Sequence, residues 1–250
     1  MKTLLLSSYF SVKEHPNEKT DTSVVGRMAD GRVPSNEISY IRPWYESVNK
    51  LGIDAVLYYD NLSDDFVNKY QTEKIKFNKV TVDEFSNNDF RFFCFRSHLE
   101  LMKEKPDVVF HNDASDVTVV KDPHDLVMSN PDISFFCCKD SIMLNQFPYL
   151  KVHEAFGWED SFMFKLNYND WDLINMGVVG GTYDNMFNFY NKFVETRLSM
   201  GSPEFNSDMW VLQYLIRSLL QPCEFLMGEP VCSEFKGYQN DRKDVYFIHK

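Results

Sequence analysis

Short apolar runs alternate with helix-like runs along most of this chain of 250 residues. Seven runs have the length and the largely apolar content of buried strands. They are Thr3–Ser7, Ile53–Tyr59, Lys74–Val80, Asp107–His111, Ile133–Cys138, Asn175–Gly181 and Val245–Ile248. Because strands that alternate with helices form layered α/β structures, we predict a mixed, mostly parallel central sheet flanked by helices.

Four segments between these strands have helical periodicity or cap residues. The first is predicted to begin near Pro43, which suits a first-turn position, and to end before Gly52. The others are Phe90–Met102 after a cap cluster at 87–89, Asp184–Leu198, and the run from Asn206 to Leu220. No internal repeat and no linker rich in Gly, Ser or Pro divides the chain. We therefore predict a single domain over residues 1–250.

The bulk composition excludes some classes of protein. The formal net charge of -11 argues against nucleic-acid binding, which needs a basic surface. Five cysteines, an odd number without metal-type spacing, predict reduced, mostly buried thiols and a cytoplasmic location. No segment reaches the roughly 18 apolar residues of a membrane span. The chain can stand alone or be one domain of a larger, multidomain protein.

The run at residues 107–120 ends an apolar strand in two carboxylates, Asp113 and Asp116, and then turns apolar again. Side chains that follow a buried strand lie at the edge where α/β sheets keep their ligand crevice. Two carboxylates on a tight turn suit Mn²⁺ or Mg²⁺, which in turn suit a diphosphate, and Asn112 could add a hydrogen bond. The alternative is a pair of capping or Asx-turn carboxylates.

Three further residues are candidates for chemistry. His249 ends the last strand, and Mn²⁺ accepts imidazole beside carboxylates. Asp208 opens an apolar helix, where it is either favoured by the helix dipole or available as a general base. Arg91 lies on the helix before the acidic strand, and it either faces phosphates or pairs with Asp89 or Glu100.

Glycines interrupt the apolar strand that begins at Asn175. Gly177, Gly180 and Gly181 indicate a close approach of the backbone to another group, either a ligand or packed side chains. Asn175 would point its amide into the crevice in the first case. The polar segment Ser11–Asn36 lacks periodicity and leaves the same sheet edge, so it is either a cover for a ligand or a mobile surface loop.

Taken in order, these pieces resemble a glycosyltransferase of the GT-A fold, which is Rossmann-like. They are Leu-Leu-Leu-Ser-Ser-Tyr-Phe at 4–10, Asp-Phe-Arg at 89–91, Val-Val-Phe-His-Asn-Asp-Ala-Ser-Asp-Val at 108–117, Asn-Met-Gly-Val-Val-Gly-Gly at 175–181, Asn-Ser-Asp-Met-Trp-Val-Leu-Gln at 206–213 and Phe-Ile-His at 247–249. The Asp-x-x-Asp form departs from the commoner Asp-x-Asp and is similar to the variant in collagen-type glycosyltransferase domains.

The resemblance implies a metal-dependent hexosyl- or pentosyltransferase that moves a sugar from a nucleotide-diphosphate donor, a UDP-sugar, to a hydroxyl of a glycan or protein-linked acceptor. Residues up to about 120 would bind the nucleotide and the remainder the acceptor. Asp113, Asp116 and His249 would hold Mn²⁺ or Mg²⁺, and Asp208 would lie beside the reacting sugar. Donor contacts are expected from Ser8, Tyr9, Arg91, Asn112, Asp113, Asn175, Gly177 and Gly180.

Two other classes of protein predict a different pattern at these positions, and a third differs only in lacking turnover. A sugar nucleotidyltransferase would carry a Gly-rich basic loop after the first strand, where this chain has Ser-Ser-Tyr-Phe-Ser-Val-Lys. A phosphohydrolase that forms an aspartyl-phosphate would place its second Asp two residues after the first, not three. A non-catalytic domain that binds a nucleotide sugar would keep the same residues and lack turnover.

Overall fold

A seven-stranded sheet is the centre of the computed structural model, which describes residues 2–14, 33–146, 170–201, 203 and 205–250. The strands are β1 Thr3–Tyr9, β2 Asp54–Tyr59, β3 Ile75–Lys79, β4 Val108–Asn112, β5 Val117–Val119, β6 Phe135–Met143, β7 Asp172–Thr182, β8 Phe225–Met227 and β9 Phe247–His249. The helices are α1 Ile38–Leu51, α2 Asp64–Tyr70, α3 Asn87–Leu101, α4 His124–Met128, α5 Tyr183–Ser199 and α6 Asp208–Tyr214. A 3₁₀ turn, Leu144–Gln146, and a π-helical turn, Leu215–Leu219, complete the regular structure of the described residues.

The strand order of the large sheet is β3-β2-β1-β4-β7-β6-β8. Only β7 is antiparallel to its neighbours, β4 and β6, and the other pairs are parallel. The predicted α/β class with a mixed, mostly parallel sheet is thereby confirmed. The strand order reverses between β1 and β4, since β2 and β3 lie on the far side of β1. Such a switch point opens a crevice at the carboxyl ends of the two strands.

Helices cover both faces of this sheet and form two apolar cores. On one face, Trp44 and Val48 of α1 pack with residues such as Leu5 and Phe110. On the other, α3 and α5 meet through Phe92 and Phe193, whose ring centroids are 4.0 Å apart. All these side chains are almost completely removed from water, which is the main favourable term holding helices to the sheet.

The first helix begins earlier than predicted, at Ile38, and encloses Pro43. The interpretation of Pro43 as a first-turn residue was wrong because burial of Tyr40 and Ile41 outweighs the helix hydrogen bond that proline cannot donate. The other three helix predictions are correct to within a few residues, although the last one divides into α6 and a π-helical turn. The short strands β5 and β8 were not predicted.

A second, two-stranded sheet joins the acidic turn to the end of the chain. β5 and β9 are antiparallel, and Val117 faces His249 in their register. Lys250 also donates its backbone N–H to the carbonyl of Asp116 at 3.0 Å. This pairing brings the last strand beside the residues that follow β4.

One disulfide contradicts the prediction that all cysteines are reduced. Cys138 and Cys232, 94 residues apart in sequence, are bonded, with their Cα atoms 5.2 Å apart. Cys94, Cys137 and Cys223 are free thiols, as predicted. Spacing along the chain could not reveal the pair because β6 and the segment after β8 are brought together only by the sheet.

Most of the segment Ser11–Asn36 lies outside the described residues. At its beginning, Ser11 and Val12 donate their backbone N–H groups to the carboxylate of Asp60, which follows β2. Within the part of the chain described, no helix combines the length and the apolar character needed to cross a membrane.

Candidate metal centre

Asp113, Asp116 and His249 converge at the carboxyl end of β4. One ligand atom from each lies within 4.8 Å of the others. Asp113 follows β4 directly and donates its backbone N–H to the carbonyl of Gly177 at 2.9 Å. The two carboxylates are partly exposed, with 30% and 27% of their side-chain surface accessible, whereas the imidazole is 2% exposed. The group therefore has a buried nitrogen and two oxygens that face the crevice.

A backbone hydrogen bond and a ring contact hold His249 in place. Its N–H donates to Ser233 Oγ at 3.2 Å, and its ring lies 4.4 Å from that of Phe235, centroid to centroid. Nε2 lies 3.5 Å from Asp116 Oδ2. Nδ1 is buried and has no hydrogen-bond partner among the described residues. Burial disfavours the imidazolium, but the negative charge of Asp116 prevails and raises the pKa of His249.

Gly177 leaves the space that this ring occupies. A Cβ atom at residue 177 would lie 2.1 Å from His249 Cε1 and 2.5 Å from Nε2. The predicted close approach of the backbone is therefore present here, and the group that approaches is the third candidate ligand. Gly180 has a different role, since a Cβ there would collide with the ring of Phe110. The lack of a side chain at Gly180 therefore makes room for a ring of the apolar core.

Arg91 links two of the predicted carboxylates. Nη1 contacts Asp113 Oδ1, and Nη2 donates to Asp208 Oδ2 at 3.0 Å. Burial opposes its charge, yet the two carboxylates raise the pKa of Arg91, so the guanidinium stays cationic. Neither predicted ion pair of this residue, with Asp89 or with Glu100, is present, and its partners are instead two carboxylates that are distant in sequence. Arg96 pairs with Glu100 on the helix surface, at 3.3 Å.

Asp208 begins α6 and is 3% exposed. Burial raises the pKa of its carboxyl to about 6, against the opposing effect of Arg91. A carboxyl with such a pKa changes charge close to neutral pH, which suits proton transfer. Arg91 joins it to Asp113, so the predicted catalytic residue and the candidate metal group share one network.

A second buried ion pair, which the sequence analysis missed, fixes the beginning of α6. Asp89 Oδ2 accepts a hydrogen bond from Arg197 Nε at 2.7 Å, and both side chains are fully buried. The same carboxylate accepts from the backbone N–H of Ser207 at 3.2 Å and from its hydroxyl at 3.0 Å. Because Ser207 directly precedes Asp208, the ion pair between Asp89 and Arg197 also positions the carboxylate of Asp208 beside Arg91. The sequence feature that could have revealed this ion pair is a charged residue, Asp89, within a helix rich in phenylalanine.

Asn175 contacts another carboxylate that was not predicted. Its Nδ2 donates to Asp140 Oδ2 at 2.8 Å, and its Oδ1 accepts the N–H of Gly177 at 2.7 Å. Asp140 lies in β6, which runs in the same direction as β4, and its charge also reaches His249. Asp140 lies two residues after the predicted strand Ile133–Cys138, and this position at a strand end could have marked it as a candidate site residue.

Two predicted donor contacts, Asn112 and Tyr9, have other partners. Asn112 is buried, and its Oδ1 accepts hydrogen bonds from Ser7 Oγ at 2.6 Å and Trp44 Nε1 at 2.8 Å. Tyr9 is fully buried, and its hydroxyl contacts the backbone of Pro34 and Glu37. Ser8, between Ser7 and Tyr9 in β1, is half-buried at the same carboxyl edge. The Oδ1 atom of Asn112 and the hydroxyl of Tyr9 are thus engaged within the fold.

No protein-family model matches this chain, and a comparison with curated proteins finds no similar sequence.

Proposed function

We propose that the chain is a metal-dependent glycosyltransferase, which transfers a sugar from a nucleotide-diphosphate donor, a UDP-sugar, to a hydroxyl of a glycan or protein-linked acceptor. The observation that carries the proposal is the convergence of Asp113, Asp116 and His249 at the switch point between β1 and β4. A nucleotide bound across this crevice would have its diphosphate at the acidic turn.

The three side chains fit a divalent cation. Mn²⁺ binds carboxylate and imidazole together, and Mg²⁺ binds carboxylates while keeping several waters. Gly177 provides the clearance for the imidazole, and Asp116 is close enough to orient it. A cation held there would stabilise the negative charge that builds on the leaving nucleoside diphosphate.

Arg91 and Asp208 supply the remaining chemistry in this proposal. Arg91 keeps a positive charge beside the acidic turn and limits the repulsion between its carboxylates. Asp208 would accept the proton of the acceptor hydroxyl in an inverting reaction. In a retaining reaction it would instead bind the hydroxyls of the donor sugar. Both routes need its carboxylate at the crevice floor.

We place the protein in the cytoplasm, where thiol reductants would reduce the disulfide between Cys138 and Cys232. Its proposed ligands there are a UDP-sugar and a glycan or glycoprotein. The competing function is a non-catalytic domain that binds nucleotide sugars, since the same carboxylates would serve it.

The decisive experiment is calorimetric titration of the chain with UDP, first with Mn²⁺ and then with a chelator. The proposal expects micromolar binding that disappears with the chelator. Asp116→Asn should lose this binding while the chain stays folded, and Asp125→Asn, which alters an exposed carboxylate, should keep it. If no heat of binding is detected with UDP, GDP or other nucleotides, the proposal is wrong.

Product analysis with a panel of nucleotide sugars then separates the two functions. Release of UDP that depends on an acceptor supports the transferase. Binding of the nucleotide without turnover of any donor favours the non-catalytic domain.

A further inference from the structure

His249 belongs to a second group of potential metal ligands. One of its ring nitrogens and the sulfur atoms of Cys138 and Cys232 lie within 4.8 Å of one another, and all three residues are buried. The three come from different parts of the fold, namely β6, the segment after β8, and β9. The group is distinct from the acidic turn except for the shared imidazole.

We propose that Cys138, Cys232 and His249 form a thiol-dependent site for a soft divalent cation such as Zn²⁺, which is closed while the disulfide is intact. The proposal does not depend on the transferase function. Two thiolates and one imidazole, with an open fourth position, are a known ligand set for Zn²⁺.

The backbone already holds the ligands at a suitable separation. Sulfur and nitrogen ligands in a tetrahedral zinc site lie about 3.5–4 Å from one another, given Zn–S and Zn–N bonds of about 2.3 and 2.0 Å. Cys232 bridges to Phe247, and Ser233 accepts the N–H of His249. Cys138 pairs with Asn175 in the neighbouring strand. Small rotations of the two cysteine side chains would therefore open the site without moving strands.

His249 supplies an independent indication of a ligand. Its Nδ1 is buried without a hydrogen-bond partner in the described part of the chain. A buried polar atom left without a partner is unfavourable, and a metal or its bound water would satisfy it. The packing of Phe235 against the ring restricts its rotation, so the imidazole keeps its position beside the two sulfur atoms.

The redox step balances with an ordinary dithiol. The dithiol supplies two electrons and two protons, the bond between the cysteine sulfurs breaks, two thiols form, and the dithiol becomes a disulfide. Binding of Zn²⁺ then displaces one proton from each thiol. In a reducing compartment the site would be open, and in an oxidising one the disulfide would leave His249 to the acidic turn alone.

The test uses Co²⁺ as a spectroscopic probe in two preparations of the full chain. One is purified with a phosphine reductant throughout, and the other is oxidised, with the disulfide verified by mass. The reduced chain should give a sulfur-to-cobalt charge-transfer band that Zn²⁺ removes, and the oxidised chain should give none. An absent band in the reduced chain, or an equal band in the oxidised one, would overturn the proposal.

Cysteine variants assign the ligands. Cys138→Ser and Cys232→Ser should each weaken Zn²⁺ binding by more than about 100-fold, because changes to outer-shell partners alone already cost about 10–100-fold. Cys137→Ser, which alters a buried free thiol next to Cys138, should keep the band. Asp116→Asn should also keep it, which separates this site from the acidic turn. A band that survives both ligand variants would refute the assignment.

Alkylation provides a readout that does not depend on the stability of a variant. Cys138 and Cys232 are buried and react with iodoacetamide only when the fold opens, so in the reduced wild-type chain Zn²⁺ should slow their alkylation, as mapped by peptide mass over time. The partly exposed Cys223 should react equally with and without Zn²⁺. If Cys138 and Cys232 are labelled to the same extent with and without Zn²⁺, the proposed site is wrong.

Discussion

The imidazole of His249 lies directly against the backbone of Gly177, where an added methyl group would come within 2.1 Å of Cε1. A residue of the last strand thus depends on the absence of a side chain in β7. Because β4 and β7 are neighbours and Asp113 donates to the carbonyl of Gly177, the same point also orients the acidic turn. Two parts of the candidate metal centre meet at one glycine.

Gly177→Ala should displace the imidazole and weaken Mn²⁺ binding about tenfold or more, since the ligand would leave its position. Calorimetry with Mn²⁺ measures this effect. Gly180→Ala is the matched control, because it also creates a collision, but with Phe110 in the core. The control should lower the free energy of unfolding and leave Mn²⁺ affinity nearly unchanged in the folded fraction. Equal affinities in wild type and Gly177→Ala would remove His249 from the ligand set.

Arg91→Ala should lower the free energy of unfolding by roughly 3–5 kcal/mol, because it leaves the buried carboxylate of Asp208 without its cation. Urea denaturation measures the loss. Arg96→Ala, on the same helix but partly exposed, should change stability by no more than about 0.5 kcal/mol. If Arg91→Ala lowers the free energy of unfolding no more than Arg96→Ala does, the ion pairs of Arg91 with Asp113 and Asp208 contribute little to stability.

Asp208 should make stability depend on pH in a defined direction. Burial raises the pKa of its carboxyl from 3.8 to about 6, so between these values the folded state binds a proton that the unfolded state has released. The contribution of Asp208 to the free energy of unfolding therefore falls as pH rises through this window and stays low above it. The total change is at most about 3 kcal/mol.

Asp208→Asn should remove this dependence. Denaturation of variant and wild type across the same window should show that the variant gains relative stability as pH rises. A constant difference between the two chains would indicate that Asp208 does not titrate there.

Asp89→Asn should weaken the hydrogen bonds that hold Ser207, the residue before α6, and so destabilise this segment. The change removes the negative charge of Asp89 beside the fully buried guanidinium of Arg197, and we expect a loss of roughly 3 kcal/mol or more in the free energy of unfolding. Amide hydrogen exchange at Ser207 should accelerate more than exchange at Phe90, whose N–H is bonded within its own helix. Asp184→Asn, at an exposed carboxylate, should alter neither quantity. Unchanged protection of Ser207 would show that other contacts hold this segment.

The sequence by itself determined the α/β class, most of the longer elements and the position of the acidic turn. Apolar runs of strand length and cap clusters such as the one at residues 87–89 act over a few residues, and their effect can be read without knowing the rest of the fold. For the same reason Asp113 and Asp116 could be placed at the end of a buried strand.

Only the tertiary structure decided which groups meet there. The pairing of β5 with β9 brings His249 to Asp116, and the sheet brings Cys138 to Cys232 across 94 residues. Arg91 was expected to face phosphates or a carboxylate on its own helix, and it instead joins Asp113 to Asp208. These contacts depend on strand order and register, which arise from the packing of the whole sheet, and no local pattern in the sequence specifies them.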